Sequence, residues 1–444
     1  MKNFKNIIYI FLIITSFLFS QRENEVFKYV DPIKVAINEY HLDKIDNLIK
    51  DRIKKGEVAG TVALIIKDQS IVYEKAFGFA DIKNQKTMDK NTIFRLASMS
   101  KLMTTVGALI LHDRGMFFMD TELANILPEF SNPEVFVSYN KNNGKIKTRK
   151  STKPILMKHL FTHTSGIPYP IFADEDFGRD VYLASGVQSA FPDFSITLDE
   201  NIKRLSKLPL FHEPGETFTY GLNMDVLGRV IEVLDGRPFS QFMEEELFEP
   251  LKLEATGFGI DSSQWDRIAK IYSYNKNEEL VLFKNLEEFP DSDEDELAKY
   301  PHLRFNDEHY KNDVNKIAMG GADIMSTAYD YAKFLQMLLN DGKMYGKQII
   351  SKKTARMIYK PLEVFYGGEF VIGLGVSVVQ NEERSYSRVS NGTFGWGGYF
   401  FTECWADPEE NMIGILMNQI APAKDESFYN YFQHLVYSSL MTEH

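Results

Sequence analysis

The sequence predicts an α/β (α+β) chain, with an antiparallel sheet flanked by helices on both faces and a mainly helical lobe inserted into it. Two β-rich runs near the start form a hairpin pattern, and three strand-like runs near the end precede a last helix. The long middle, residues 116–320, carries mostly helical spacing. This gives an export segment at 1–20 and one domain at 21–444, with a sheet lobe at 21–115 and 321–444 and a helical lobe at 116–320. No internal repeat and no linker between independent domains is visible.

The first twenty residues place Lys2 and Lys5 ahead of an apolar run from Ile7 to Phe19, and Gln21-Arg22-Glu23-Asn24 follows. The run is about 13 residues, short of the roughly 20 needed to span a bilayer, so it reads as a secretory signal peptide. No cysteine follows it to carry a lipid. The expectation is an exported protein, periplasmic or extracellular, without a stable membrane anchor.

From His41 to Lys55 the positions Leu42, Ile45, Leu48, Ile49 and Ile53 recur at helical spacing, ending in Lys54-Lys55-Gly56. Gly60–Asp68 and Ser70–Asp81 then read as an antiparallel hairpin. The stretch from Ser98 to His112 lacks a polar face, as a helix buried between layers would. In the middle, helices are expected near 153–163, 198–206, 223–235 and 239–247, and Asn143-Gly144 marks a hairpin over 135–150. The acidic run Glu287–Glu296 reads as a solvated loop, since it lacks the glycine a calcium loop needs. A helix from Ser326 to Leu339, strands over Glu369–Gln380, Tyr399–Ala406 and Asn411–Asn418, and a helix over Lys424–Leu440 complete the chain.

The composition narrows the function. With 44% hydrophobic and 13% aromatic residues the chain can build a large core, and a net charge of -12 argues against a nucleic-acid partner. The single cysteine, Cys404, excludes an internal disulfide and a zinc site of paired thiolates. His159 and His163 stand four apart, but no Glu follows His159, so no metal is expected there. No serine has glycine two residues away on both sides, which removes the nucleophile elbow of α/β-hydrolases.

Three elements carry candidate chemistry. Ser98-Met99-Ser100-Lys101 opens the buried helix, where positions three apart share a face and the helix N-terminus favours negative charge. The same Ser-x-x-Lys spacing recurs at Ser138/Lys141 and Ser273/Lys276 in turn-rich settings, so context singles out Ser98. Tyr220 ends a Pro-Gly turn just before a helix, a fixed point from which a side chain can reach a cleft. Gly395-Trp396-Gly397-Gly398-Tyr399 puts glycines at a strand entry, where the backbone can approach a ligand and aim the Tyr399 N–H at an oxyanion.

In this order and spacing the three elements resemble the serine β-lactamase-like superfamily: class C β-lactamases, D-alanyl-D-alanine carboxypeptidases, D-aminopeptidases and family VIII carboxylesterases. Phe94–Lys101, His159–Gly166, Gly320–Thr327 and Trp405–Pro408 carry the resemblance across nearly the whole mature chain. It implies the β-lactamase/DD-peptidase-like fold and an acyl-enzyme mechanism without a cofactor. Ser98 would be the nucleophile, Lys101 and Tyr220 would share its proton, and the Ser98 and Tyr399 N–H groups would form the oxyanion hole. Trp396, Gly397, Gly398, Leu222 and Asn223 would touch the substrate.

Two departures select a branch. Where the peptidases and lactamases have Tyr-x-Asn, this chain has Leu222 at the third position and Asn223 one later. Where their third motif begins with Lys or His, this chain has Trp396, and an indole suits an acyl or aromatic ester group better than a carboxylate. A carboxylesterase acting on a small-molecule ester is therefore the first expectation. A β-lactamase, a D-alanyl-D-alanine carboxypeptidase or a D-aminopeptidase, acting on a lactam or D-amino-acid peptide, is the alternative. A non-catalytic binding protein comes last.

Overall fold

Side-chain alternation along two central strands decides where the cores lie. The computed structural model describes residues 26–140, 142–169, 181–182, 184–189, 196–283, 317–362, 365–367, 370–380 and 388–441. Residues 1–20, expected to be an export segment, and the acidic run Glu287–Glu296 lie outside these residues. Among those described, no helix is long and apolar enough to cross a membrane.

The main sheet is built from β1 (Lys28–Tyr29), β2 (Gly60–Lys67), β3 (Ser70–Asp81), β4 (Phe365–Gly367), β5 (Phe370–Ile372), β6 (Ser377–Val379), β7 (Phe394–Gly398), β8 (Thr402–Asp407) and β9 (Met412–Met417). Its spatial order is β1-β3-β2-β9-β8-β7-β6-β5-β4, and the short strand Lys86–Thr87 adds to β3. β1 runs parallel to β3, whereas every other neighbour is antiparallel. The hairpin of β2 and β3 forms as expected, and β2 joins the late strands through β9.

Successive residues of a strand point to opposite faces. Val62, Leu64, Ile66, Ile413, Ile415 and Met417 enter one core together with α2 (Ser100–Asp113) and α4 (Ala328–Leu339). Ala63, Ile65, Met412, Leu416 and Trp405 enter the other, against α1 (Glu39–Lys54) and α5 (Ser427–Ser438). Helices thus cover both faces. α2 is buried at every position from Ser100 to Leu111, in keeping with its lack of a polar face.

Several expectations are corrected. The run Glu369–Gln380 is not one strand: β5 and β6 pair antiparallel around a turn, and the Gly375 N–H in that turn donates to Phe161 O at 2.8 Å. The glycine segment at 394–398 is itself a strand, with Tyr399 just beyond its end. The helix expected near 153–163 shortens to Met157–Phe161, and the one near 239–247 divides into an α turn over Phe239–Met243 and a π turn over Glu244–Phe248. The helices at Leu198–Leu205 and α3 (Asn223–Asp235) and the hairpin of Glu134–Asn140 with Lys145–Lys150 stand where the pattern put them.

Trp405 is the largest side chain of the second core and has 1% of its surface exposed. Its ring lies across β9 at Gly414, where a Cβ would come within 2.0 Å of the indole. Gly414→Ala should therefore overpack this core and cost about 1–3 kcal/mol. A lower denaturant midpoint at unchanged slope is the expected readout, and an unchanged midpoint would contradict the packing described.

Candidate active site

The Ser98 turn is anchored on three sides. Phe94–Arg95 pairs antiparallel with Met325–Ser326, and the Leu96 N–H donates to Ile324 O at 3.0 Å. Ala97, φ 46°, then takes a left-handed conformation that costs a non-glycine residue of order 1 kcal/mol. Ser98 follows on a 3-10 turn, Ala97–Met99, so the nucleophile candidate sits just ahead of α2 rather than inside it. Tyr331 of α4 donates to Met99 O at 2.9 Å, and Thr402 donates to Leu96 O at 3.1 Å.

Lys101, on the first turn of α2, is fully buried. Its Nζ donates to Ser98 Oγ at 3.0 Å and to the Gly321 carbonyl at 2.7 Å, with Tyr169 Oη at 3.4 Å. The ammonium also faces the rings of Tyr220 and Tyr169, at 4.7 and 5.2 Å from their centroids. Tyr220 donates to Ser98 Oγ at 2.7 Å. One hydroxyl oxygen is therefore held by an amine and a phenol. The other two Ser-x-x-Lys serines stand in strands, Ser138 in Glu134–Asn140 and Ser273 in Tyr272–Tyr274, away from any helix start.

The motif around His163 places Tyr220. The Thr219 N–H donates to His163 O at 2.7 Å, the Tyr169 N–H to Tyr220 O at 3.2 Å, and the Gly221 N–H to His163 Nδ1 at 3.3 Å. Burial, helped by the Lys101 charge, pushes His163 down to about 3, so the ring is neutral and accepts at Nδ1. His159, also lowered by burial, to about 4, accepts the Leu156 N–H at Nδ1. Both histidines thus hold loops in place. Glu213 tethers the same turn to the hairpin: burial opposes its charge, but Arg149, Ser151 and the Thr152 N–H hold it down to about 2.

The third element arrives through β7. Gly398 lies so close to the Ser98 turn that a Cβ there would stand 2.2 Å from Leu96 O, and Tyr399 is the next residue along the chain. Trp396 stacks on Tyr220, with centroids 5.8 Å apart and planes at 28°. Tyr169 stacks against Tyr220 from another side at 5.4 Å. The wall beside Ser98 is therefore aromatic.

Two of the predicted substrate contacts sit elsewhere. Leu222 has no exposed surface, because the turn into α3 directs its side chain into the core, so it offers nothing to a substrate. Asn223 is equally buried, with its amide nitrogen on His163 Nδ1 at 3.0 Å and its oxygen accepting from Ser165. It braces the Tyr220 loop.

Sequence reasoning missed Tyr169, Asp225 and Gly321 as members of the site. Asp225 Oδ1 accepts the Gly321 N–H at 3.0 Å, and the carbonyl of that same glycine accepts from Lys101. Asp225 Oδ2 is buried without a hydrogen-bond partner among the described residues. A Cβ on Gly321 would lie 2.8 Å from Tyr169 Oη and 3.0 Å from Asp225 Oδ2, so the three groups meet at one point. Burial pushes Asp225 up to about 6, against the pull of the Gly321 N–H and the Lys101 charge. The available signal was an acid amid apolar neighbours, Met224-Asp225-Val226-Leu227, on a helix that had to be buried.

Comparison with known proteins identifies the family. A family model described as Beta-lactamase matches residues 45–438. Esterase EstB of Burkholderia gladioli is 27% identical over 395 residues, which is 88% of this chain and 94% of that protein. The monacolin J acid methylbutanoyltransferase of Aspergillus terreus is 23% identical over 89% of this chain and 95% of its own. The solved structure of EstCE1, described as a hydrolase with promiscuous acyltransferase activity, superposes with a TM-score of 0.75 at 24% identity, over 90% of this chain and 99% of that one. The match from the first helix to the last, with the motif serine, lysine and tyrosine meeting at one oxygen, shows that this chain belongs to the β-lactamase family of serine hydrolases.

Proposed function

We propose that the protein is an exported carboxylesterase working through an acyl-enzyme on Ser98. The observation that carries this reading is Ser98 Oγ held between Lys101 Nζ and Tyr220 Oη beside an indole, where the peptidases and lactamases place a cation.

In the proposed reaction Lys101 has first released the proton of its resting ammonium, and Ser98 Oγ attacks the ester carbonyl as its own proton passes to the Lys101 amine, directly or through the Tyr220 hydroxyl. The carbonyl oxygen gains charge opposite the Ser98 and Tyr399 N–H groups. The carbon–oxygen bond to the leaving alcohol breaks, and that oxygen takes the proton from Tyr220. Water then gives its proton to the same pair, attacks the acyl-enzyme and releases the acid, restoring the Ser98 hydroxyl. Asp225, through the Gly321 peptide, positions Lys101 and offsets the charge it gains.

The aromatic wall of Tyr169, Tyr220 and Trp396 favours an apolar acyl or aryl group over a carboxylate-bearing peptide or lactam. Transfer of the acyl group to an alcohol in place of water is a second reading. It is supported by the methylbutanoyltransferase among the relatives and by the apolar surface that would hold such an alcohol.

Three outcomes are expected. The chain from Gln21 hydrolyses p-nitrophenyl butyrate, Ser98→Ala loses at least about 10³-fold, and Lys101→Met and Tyr220→Phe each lose about 10²-fold or more. Turnover that survives in Ser98→Ala, or faster acylation by a β-lactam or D-alanyl peptide than by the ester, would remove the esterase reading. The parent rate falls as pH drops through about 6, where Asp225 gains its proton. Asp225→Asn lowers kcat/KM about tenfold or more and flattens that acid limb; a limb that persists in the variant would assign it to another group. Full-length chain expressed in a bacterium with a secretory pathway is recovered outside the cytoplasm and begins near Gln21, as mass spectrometry of the intact protein would reveal.

A further inference from the structure

β7 has two working faces. Trp396 points toward Ser98, whereas Gly395 and Gly397 face the second core. Behind them lies a cavity of about 180 Å³ between β6, β7, β8 and α5. Its polar side chains are Glu403, Ser377, Thr393, Asn430 and Gln433, and its aromatic walls are Trp405 and Tyr429.

Two groups in this cavity are unmatched. Glu403 is partly buried opposite Gly397, and its carboxyl fills the space a side chain at 397 would take, with a Cβ there 2.5 Å from Glu403 Oε1. No described Lys or Arg lines the cavity, and the Glu403 carboxyl makes no hydrogen bond or ion pair with the described residues. Trp405, 1% exposed, leaves its indole N–H buried without a hydrogen-bond partner among the described residues. A carboxyl walled by aromatic rings, with no cation beside it among the described residues, becomes half of a recognition site for an organic ammonium ion once it ionises. The free indole N–H asks for an acceptor on the same molecule.

We propose that this cavity is an accessory binding site for a small organic cation with an oxygen beside the charge, such as an amino alcohol, held by Glu403, Trp405 and Tyr429. The site lies across the sheet from Ser98 and does not depend on the esterase reading. Burial raises Glu403 to about 8, with the Glu426 charge adding to it. Tyr429 and the Cys404 thiol, the other titratable neighbours, are themselves pushed up. A cation would bind the ionised carboxylate, so affinity strengthens as pH rises through that value.

The test is calorimetric titration of the mature chain with choline and ethanolamine, beside 3,3-dimethyl-1-butanol as the neutral match for choline. Saturable binding of at least one cation, tighter than the alcohol, is expected. Binding should weaken about tenfold or more in Glu403→Gln and in Tyr429→Leu, with ester hydrolysis retained. Absence of saturable binding by both cations, equal binding of the alcohol, or undiminished binding in Glu403→Gln would overturn the proposal. If those variants do not fold, the parent's pH profile decides: affinity rising between about pH 6 and 9 supports the site, and a flat profile refutes it.

Discussion

The burial of one ammonium group organises this protein. Lys101 has no contact with bulk water, and an unpaired charge in that position would cost several kcal/mol or more. The fold answers with the Gly321 carbonyl, Ser98 Oγ, two phenol rings and, one peptide away, the Asp225 carboxylate. The partners come from several parts of the chain. α2 brings Lys101, the turn after the long middle brings Gly321, and α3 with its preceding loop brings Asp225 and Tyr220. Satisfying the one charge therefore ties the sheet to the helical segments, and the same contacts leave a hydroxyl oxygen gripped from two sides.

Much of the architecture could be read from local pattern. The β2–β3 hairpin, the unbroken apolar face of α2 and the Asn143-Gly144 turn are short-range signals that tertiary structure did not override. The nucleophile candidate was legible because, of three serines spaced three residues from a lysine, Ser98 alone precedes a buried helix. Patterns of hydrophobicity were less informative where strands are brief. β1 is two residues long and parallel, and the β5–β6 turn is hidden within an apolar run interrupted only by Gly373, Gly375 and Ser377.

The site residues that escaped notice share one property: their roles exist only through long-range contact. Asp225 meets Gly321 from 96 residues away, and Tyr169 acquires its place from the backbone of Tyr220. Leu222 failed in the opposite direction. Its sequence position beside Tyr220 suggested a substrate contact, but the change of direction into α3 turns it inward. Proximity along the chain and proximity in the cleft diverge wherever a helix begins.

The lone cysteine has a consequence of its own. Cys404 pairs with Trp396 across β7 and β8, its thiol is buried and its ionisation is pushed up to about 12 by that burial. A thiol in this state is inert while the strands are closed and reacts only when they separate. In a protein with a single sulfhydryl, alkylation by a soluble maleimide then acts as a clock on the opening of the strand that carries the indole wall, with no background to subtract. The residue that takes no part in the chemistry can time the breathing of the surface that does.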